Sequence, residues 1–350
     1  MNDPTERPSL KSLGTIRRKA VSVSEDDLVR TSDLEVGRGL PLLVEPAVEG
    51  VDLAKWMGHN RELAQRHLLA RGGLLFRGFG VAGEERFQAF VEAAADQLLE
   101  YTYRSTPRTK VRGKIYTSTE YPADQSIPMH NEMSYSRKWP LKIAFFCVQP
   151  AADGGETPIA DSRRMYQRID AGVRERFAHK QVMYIRNYGE GLDLSWQDVF
   201  QTDDRAQVTE FCREAGIELE WRSGDRLTTR QVCQAVADHP VTREKVWFNQ
   251  AHLFHVSSLA PGVREALLSA LGDSGVPRNT FYGDGSPIEP EALDHIRAVY
   301  DEESVLFPWQ QGDILLLDNM LAAHGRRPFS GSRQIVVGMA EPYEIAERAA

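Results

Sequence analysis

Cysteine is scarce in this 350-residue chain: Cys147, Cys212 and Cys233 are the only three, and no two of them form a C-x-x-C pair. This argues against a disulfide framework or a zinc–cysteine cluster and suits reduced thiols in a cytoplasm. Long apolar runs are missing as well. The first 23 residues carry Arg7, Lys11, Arg17, Arg18 and Lys19 without a stretch fit for a signal peptide or a membrane span, so a soluble, cytoplasmic protein is expected. Excess positive charge is absent: a formal net charge of −8 opposes binding to a phosphate backbone, and no nucleic-acid partner is expected. There is no internal repeat, no low-complexity tract, no Pro/Ser-rich linker, and no G-x-G-x-x-G or phosphate-binding loop after an apolar strand.

What is present is enough apolar material for a sizeable core, 41% hydrophobic with 9% aromatic. Residues 1–22 are polar and aperiodic and read as a flexible arm, and residues 23–350 as one domain. Helical periodicity runs from Leu53 to Arg71 and stops at Gly72-Gly73, and a second helix is expected over Glu84 to Glu100. Further helices are expected at 161–170, 205–214, 262–271 and 289–303. Short apolar strands are expected at Leu74–Phe79, Lys114–Thr119, Lys142–Gln149, Glu156–Ala160, Val182–Arg186, Ile217–Trp221, Glu244–Phe248, Asp313–Leu317 and Gln334–Ala340. Many short strands without regular strand–helix alternation favour a mixed α and β protein built on an antiparallel barrel or jelly roll with helical decoration.

The candidate chemistry sits in Met129-His130-Asn131-Glu132-Met133-Ser134-Tyr135. In an extended segment residues two apart share a face, so His130 and Glu132 can address one metal. Taken alone this is a weak signal, because composition generates about one His-x-acid pair in such a chain. Two His and one carboxylate on one face of an octahedron would leave positions on Fe(II) open for a co-substrate and O2. A second stretch, from Asp313 through His324-Gly325-Arg326-Arg327-Pro328 to Arg333, reads as a buried strand that reaches a His, turns, and returns with an Arg. Such a hairpin can bring His324 and Arg333 to one mouth, where the Arg fork suits a carboxylate.

These pieces, together with Gly72-Gly73-Leu74-Leu75-Phe76-Arg77-Gly78-Phe79 and Gly154-Gly155-Glu156-Thr157-Pro158 in the same order, resemble the TauD/TfdA-like Fe(II)- and 2-oxoglutarate-dependent dioxygenases. The resemblance implies a double-stranded β-helix core of the jelly-roll, cupin-like kind, flanked by helices. It implies iron held by His130, Glu132 and His324, with 2-oxoglutarate and O2 as co-substrates. It further implies that Thr157 and Arg333 bind the distal carboxylate of 2-oxoglutarate. Glu132 stands where many members have Asp. A carboxylate there also blocks the chloride site of halogenating relatives, so hydroxylation, or a related desaturation or epoxidation, is implied.

The strings around His130 and Val246-Trp247-Phe248-Asn249-Gln250-Ala251-His252-Leu253-Phe254-His255 are similar to a narrower group, the SyrP-like hydroxylases of peptide-synthetase pathways. These hydroxylate the β-carbon of an amino acid, often tethered to a carrier protein. Asn249, Gln250 and Arg326 are candidate substrate contacts. Arg104, Arg108, Lys110, Arg112 and Lys114 place five positive charges within 11 residues; Arg108, Lys110 and Arg112 are read as a docking patch for an acidic carrier. Alternatives are a free amino acid or small carboxylic acid as substrate, a zinc hydrolase using the same three ligands, and a catalytically silent sensor or binding module. A second metal pair at His252 and His255 is the weaker reading of those residues.

Overall fold

The computed structural model describes residues 28–34, 39–100, 103, 105–106, 108–118, 121–189, 191–273 and 275–345. The expected arm at 1–22 therefore lies outside the described residues. An eight-stranded sheet runs in the order Val29–Asp33, Leu42–Pro46, Gly73–Phe76, Ile314–Asp318, Lys138–Gln149, Gln334–Glu344, Ile115–Thr117, Lys110–Arg112. Its neighbours pair antiparallel except Leu42–Pro46 with Gly73–Phe76. A three-stranded antiparallel sheet, Ile127–His130, Ala322–Arg326 and Ile159–Asp161, faces it. The ring of Phe145 on the large sheet lies 4.9 Å from that of His324 on the small one. These two predominantly antiparallel sheets, packed face to face, are the jelly-roll core expected above.

The central strands explain why their sequences read as unbroken apolar runs. Ile143, Phe145 and Cys147, Leu315 and Leu317, and Ile335, Val337 and Met339 point into the cluster that surrounds the small sheet. The intervening Ala144 and Phe146, Ile314 and Leu316, and Val336 join a second cluster with Trp56, Phe87 and Phe90. Because both faces are buried, period-2 alternation leaves no polar face to read.

The helices Leu53–His59 and Arg61–Arg71 replace the single helix expected over Leu53 to Arg71. Asn60 caps the first by donating from Nδ2 to the Trp56 carbonyl, and its φ of −111° breaks the run. The end at Gly72 is as expected, with φ 81° in the left-handed region that glycine enters at little cost. The helix Gly83–Ala94 is shorter than expected, because Ala95 is extended.

A four-stranded antiparallel sheet, Glu218–Arg222, Arg226–Cys233, Val182–Tyr188 and Arg278–Tyr282, flanks the core. Its strands Arg226–Cys233 and Arg278–Tyr282 and the helix Ala171–Lys180 were not expected, since polar side chains obscure their periodicity. Among the described residues no helix is long and apolar enough to cross a membrane.

Candidate metal and co-substrate site

Antiparallel pairing of Ile127–His130 with Ala322–Arg326 places His324 directly opposite His130. Cross-strand partners share a sheet face, and the two imidazole centroids lie 4.7 Å apart. Glu132 arrives by a different route from the one expected. The strand ends at His130, Glu132 lies in a turn, and Met133 adopts φ 57°. The i, i+2 argument for an extended pair is thus corrected: the turn, and not a continuing strand, returns the carboxylate to the histidines. One ligand atom from each of His130, Glu132 and His324 lies within 4.8 Å of the others.

The turn is held from behind. Asn319 Oδ1 accepts from the Glu132 amide at 2.7 Å, and its Nδ2 donates to the carbonyls of Glu132 and Pro140, both at 2.9 Å. Asn131 Nδ2 donates to Ser162 Oγ and to the Asn319 carbonyl. Neither asparagine stands out in the sequence. The only signal is a polar pair, Asp318-Asn319, closing an apolar strand.

Both histidines are held neutral. Burial pushes the His130 imidazole below its usual range, against the opposing pull of Glu132 and the Pro128 carbonyl. Burial pushes His324 well below, helped by His130 and Arg108. His130 Nδ1 lies 2.8 Å from the Pro128 carbonyl, which can only accept, so Nδ1 carries the proton and Nε2 keeps a lone pair. Two neutral imidazoles and a carboxylate, one tautomer already fixed, fit a divalent transition metal.

The cleft beside these ligands is lined by Thr157, Arg333, Phe145, Ile127 and Ile335. Arg333 Nε donates to the Gly155 carbonyl at 2.9 Å, and its guanidinium carbon lies 5.5 Å from the Phe329 ring centre. Gly155 is required there: its φ is 73°, and a Cβ would meet Arg333 Cδ at 2.9 Å. Burial, with Arg326 next, lowers the Arg333 pKa to about 10, so the side chain stays cationic at neutral pH. Thr157 Oγ1 accepts from Trp309 Nε1 at 3.1 Å, which leaves its O–H to donate into the cleft.

Several expected contacts are corrected. Arg326 lines the cleft, but its guanidinium donates to the carbonyls of Tyr121, Pro122 and Gln125 and so pins that loop. Asn249 and Gln250 are buried, and each amide already bonds to the backbone: Asn249 Nδ2 donates to the Ala235 carbonyl, and Gln250 Nε2 to that of Asn131. His252 and His255 form no second metal pair. His252 Nε2 donates to the Met129 carbonyl, and His255 Nδ1 accepts from the Ser257 amide.

Arg108 is not on a surface patch. It is buried, lines the cleft, and donates from Nη2 to Glu132 Oε2 at 2.6 Å. Lys110 and Arg112 are exposed on the edge strand, beside Glu100 at 3.9 Å and Glu85 at 3.5 Å. Lys114 donates to the Leu98 carbonyl, and Arg104 lies outside the described residues.

Comparison with known proteins agrees with this geometry. The model of the taurine catabolism dioxygenase TauD, TfdA family matches residues 37–340. The chain belongs to this family of Fe(II)- and 2-oxoglutarate-dependent dioxygenases. It is 44% identical over 281 residues to the dapdiamide synthesis protein DdaC of Enterobacter agglomerans, covering 80% of this chain and 85% of that one. It is 33% identical over 279 residues to a clavaminate synthase-like protein of Arabidopsis thaliana, covering 77% and 81%. Among solved structures, PvcB of Pseudomonas aeruginosa superposes with a TM-score of 0.54 at 16% identity, covering 91% of this chain and 93% of that one, a likeness of fold.

Proposed function

We propose that this enzyme hydroxylates an unactivated C–H, the β-carbon of an amino acid presented on a carrier protein, in the biosynthesis of a peptide natural product. The observation that carries the reaction class is the convergence of His130, Glu132 and His324 at the mouth of a cleft that also holds Arg333 and Thr157. In this reading the three residues hold iron, and bound there iron supplies the activation of O2 coupled to oxidative decarboxylation of 2-oxoglutarate. Arg333 and the Thr157 hydroxyl grip the distal carboxylate of the co-substrate, the first as a fixed cation and the second as a donor already oriented by Trp309. Phe145, Ile127 and Ile335 keep water from the reacting face. Asn319 holds the Glu132 backbone, and His130's bond to Pro128 orients its ring.

The biosynthetic setting is supported by the likeness to a dapdiamide synthesis protein. Presentation on a carrier is supported by the resemblance of the His130 and Trp247 strings to SyrP-like hydroxylases and by exposed Lys110 and Arg112, which follow Arg108 along the chain. Three free, buried thiols suit a reducing cytoplasm. A second reading, in which a free amino acid is the substrate, draws support from Arg108: a cation inside the cleft suits a free carboxylate, which a tethered substrate lacks. Mass spectrometry decides. The anaerobically reconstituted enzyme is given free amino acids and the same residues loaded on a carrier, and O2 is then admitted. A gain of one oxygen on the loaded carrier is expected; efficient oxidation of the free amino acid with no preference for the carrier rejects tethering. A colourless complex with Fe(II) and 2-oxoglutarate, and no decarboxylation, rejects the reaction class for this site.

A further inference from the structure

Glu132 Oε2 is addressed from two sides. Arg108 Nη2 donates to it at 2.6 Å, and the same atom faces His324 Nε2 at 3.9 Å. A metal roughly 2.1 Å from each of three facial octahedral ligands holds them roughly 3 Å apart. The carboxylate therefore has to close on His324 to complete such a site, while the arginine holds it where it is. The side chains of Arg108 and Glu132 are 4% and 3% exposed, so water screens neither charge.

We propose that Arg108 and the metal compete for Glu132, so that metal binding costs this ion pair and displaces the segment that carries Arg108. The proposal rests on the metal reading given above. Two cations that converge on one buried carboxylate repel each other at short range. Loss of the Glu132 bond removes a buried, charge-assisted contact that anchors this segment to the site. The segment is suited to such a shift. Arg108 leads directly into the three-residue edge strand Lys110–Arg112, which is exposed at every position and pairs on one side only, with a register shift between Lys110 and Arg112. Glu132, by contrast, is clamped through its backbone by Asn319 and cannot travel with Arg108. Competition of this kind lowers metal affinity and reports metal occupancy at the protein surface.

The test uses Mn(II), which needs no anaerobic handling of iron and whose free form is counted by paramagnetic resonance. Arg108→Met should bind Mn(II) roughly tenfold or more tightly than the wild type, because the carboxylate is no longer held by a charged hydrogen bond. Arg108→Lys, a shorter cation, should fall between them and carries the test if the methionine variant does not fold. Deuterium uptake across residues 108–118 should rise when Mn(II) is added to the wild type and stay unchanged in Arg108→Met. Equal or weaker binding by Arg108→Met, or uptake that falls with metal in the wild type, overturns the proposal and makes Arg108 a support for the ligand. If the wild-type chain binds no Mn(II), the metal reading itself fails, a result distinct from the others.

Discussion

The side chain of Asn319 closes a two-way ring with the backbone of Glu132, accepting its amide proton at 2.7 Å and donating to its carbonyl at 2.9 Å across 187 residues of sequence. The turn that delivers the carboxylate is thus fixed by the strand end that precedes the second histidine.

Asn319→Ala leaves the Glu132 amide and two carbonyls without partners in a fully buried place. A stability loss of about 2–4 kcal/mol is expected, with metal affinity reduced about tenfold or more. Urea denaturation and a Mn(II) titration measure the two effects; a variant of wild-type stability and affinity would remove Asn319 from the support of the site.

Arg333→Leu removes the cleft's fixed carboxylate fork. A charged hydrogen bond is worth ~1.5–3 kcal/mol, so affinity for 2-oxoglutarate should fall about 10- to 150-fold. Arg326, which also lines the cleft, is held at both Nη groups by three backbone carbonyls. Thr157→Val should weaken the same affinity by a smaller factor. Anaerobic titration of the Fe(II) complex gives both values, and an unchanged value for Arg333→Leu would move the contact elsewhere.

Burial holds the His252 pKa at about 3, below the ordinary 6.5, and the ring stays neutral while it donates to the Met129 carbonyl. Between those two values the unfolded chain binds a proton that the native chain refuses. The stabilisation is therefore complete above about pH 6.5 and is lost as pH falls toward 3. At pH 5.0 this group should cost about 2 kcal/mol. Metal-free wild type should lose that much more stability than His252→Gln between pH 7.5 and 5.0, as read by urea denaturation; parallel losses would contradict it.

Lys110→Glu with Arg112→Glu reverses the exposed charges of the edge strand and leaves Arg108 intact. Turnover of a carrier-loaded substrate should slow severalfold at low salt and less at high salt. Decarboxylation of 2-oxoglutarate without substrate should be unaffected. Each residue already has an acidic neighbour, so a larger effect is not expected.

The candidate ligands His130, Glu132 and His324, which the structure brings together, were singled out because the chemistry demands particular side chains in a particular order, and the apolar strands were legible because their side chains are buried on both faces. What stayed hidden depends on tertiary context. Arg108 sits in a run of basic residues, and nothing local distinguishes the one turned inward onto Glu132 from those left in solvent. Asn249 and Gln250 carry amides suited to a substrate, yet the backbone carbonyls of Ala235 and Asn131 claim them first. The break at Asn60 is a cap within a continuous apolar stripe, where periodicity alone sees one helix. The strands Arg226–Cys233 and Arg278–Tyr282 draw their stability from pairing with Val182–Tyr188, a long-range effect that outweighs their polar composition.

The cross-strand pairing of His130 with His324 also constrains how the chain acquires its chemistry. The two histidines come from strands nearly two hundred residues apart, and the third ligand is clamped by a residue just as remote. Closing so long a loop is entropically slow, and contacts of this span are made late. On the proposed assignment, a nascent chain holds His130 and Glu132 without His324, a pair too weak to retain a transition metal, and iron capture waits for completion of the small sheet. Metal affinity at the proposed site depends on topology, since the two histidines meet only through the pairing of the small sheet.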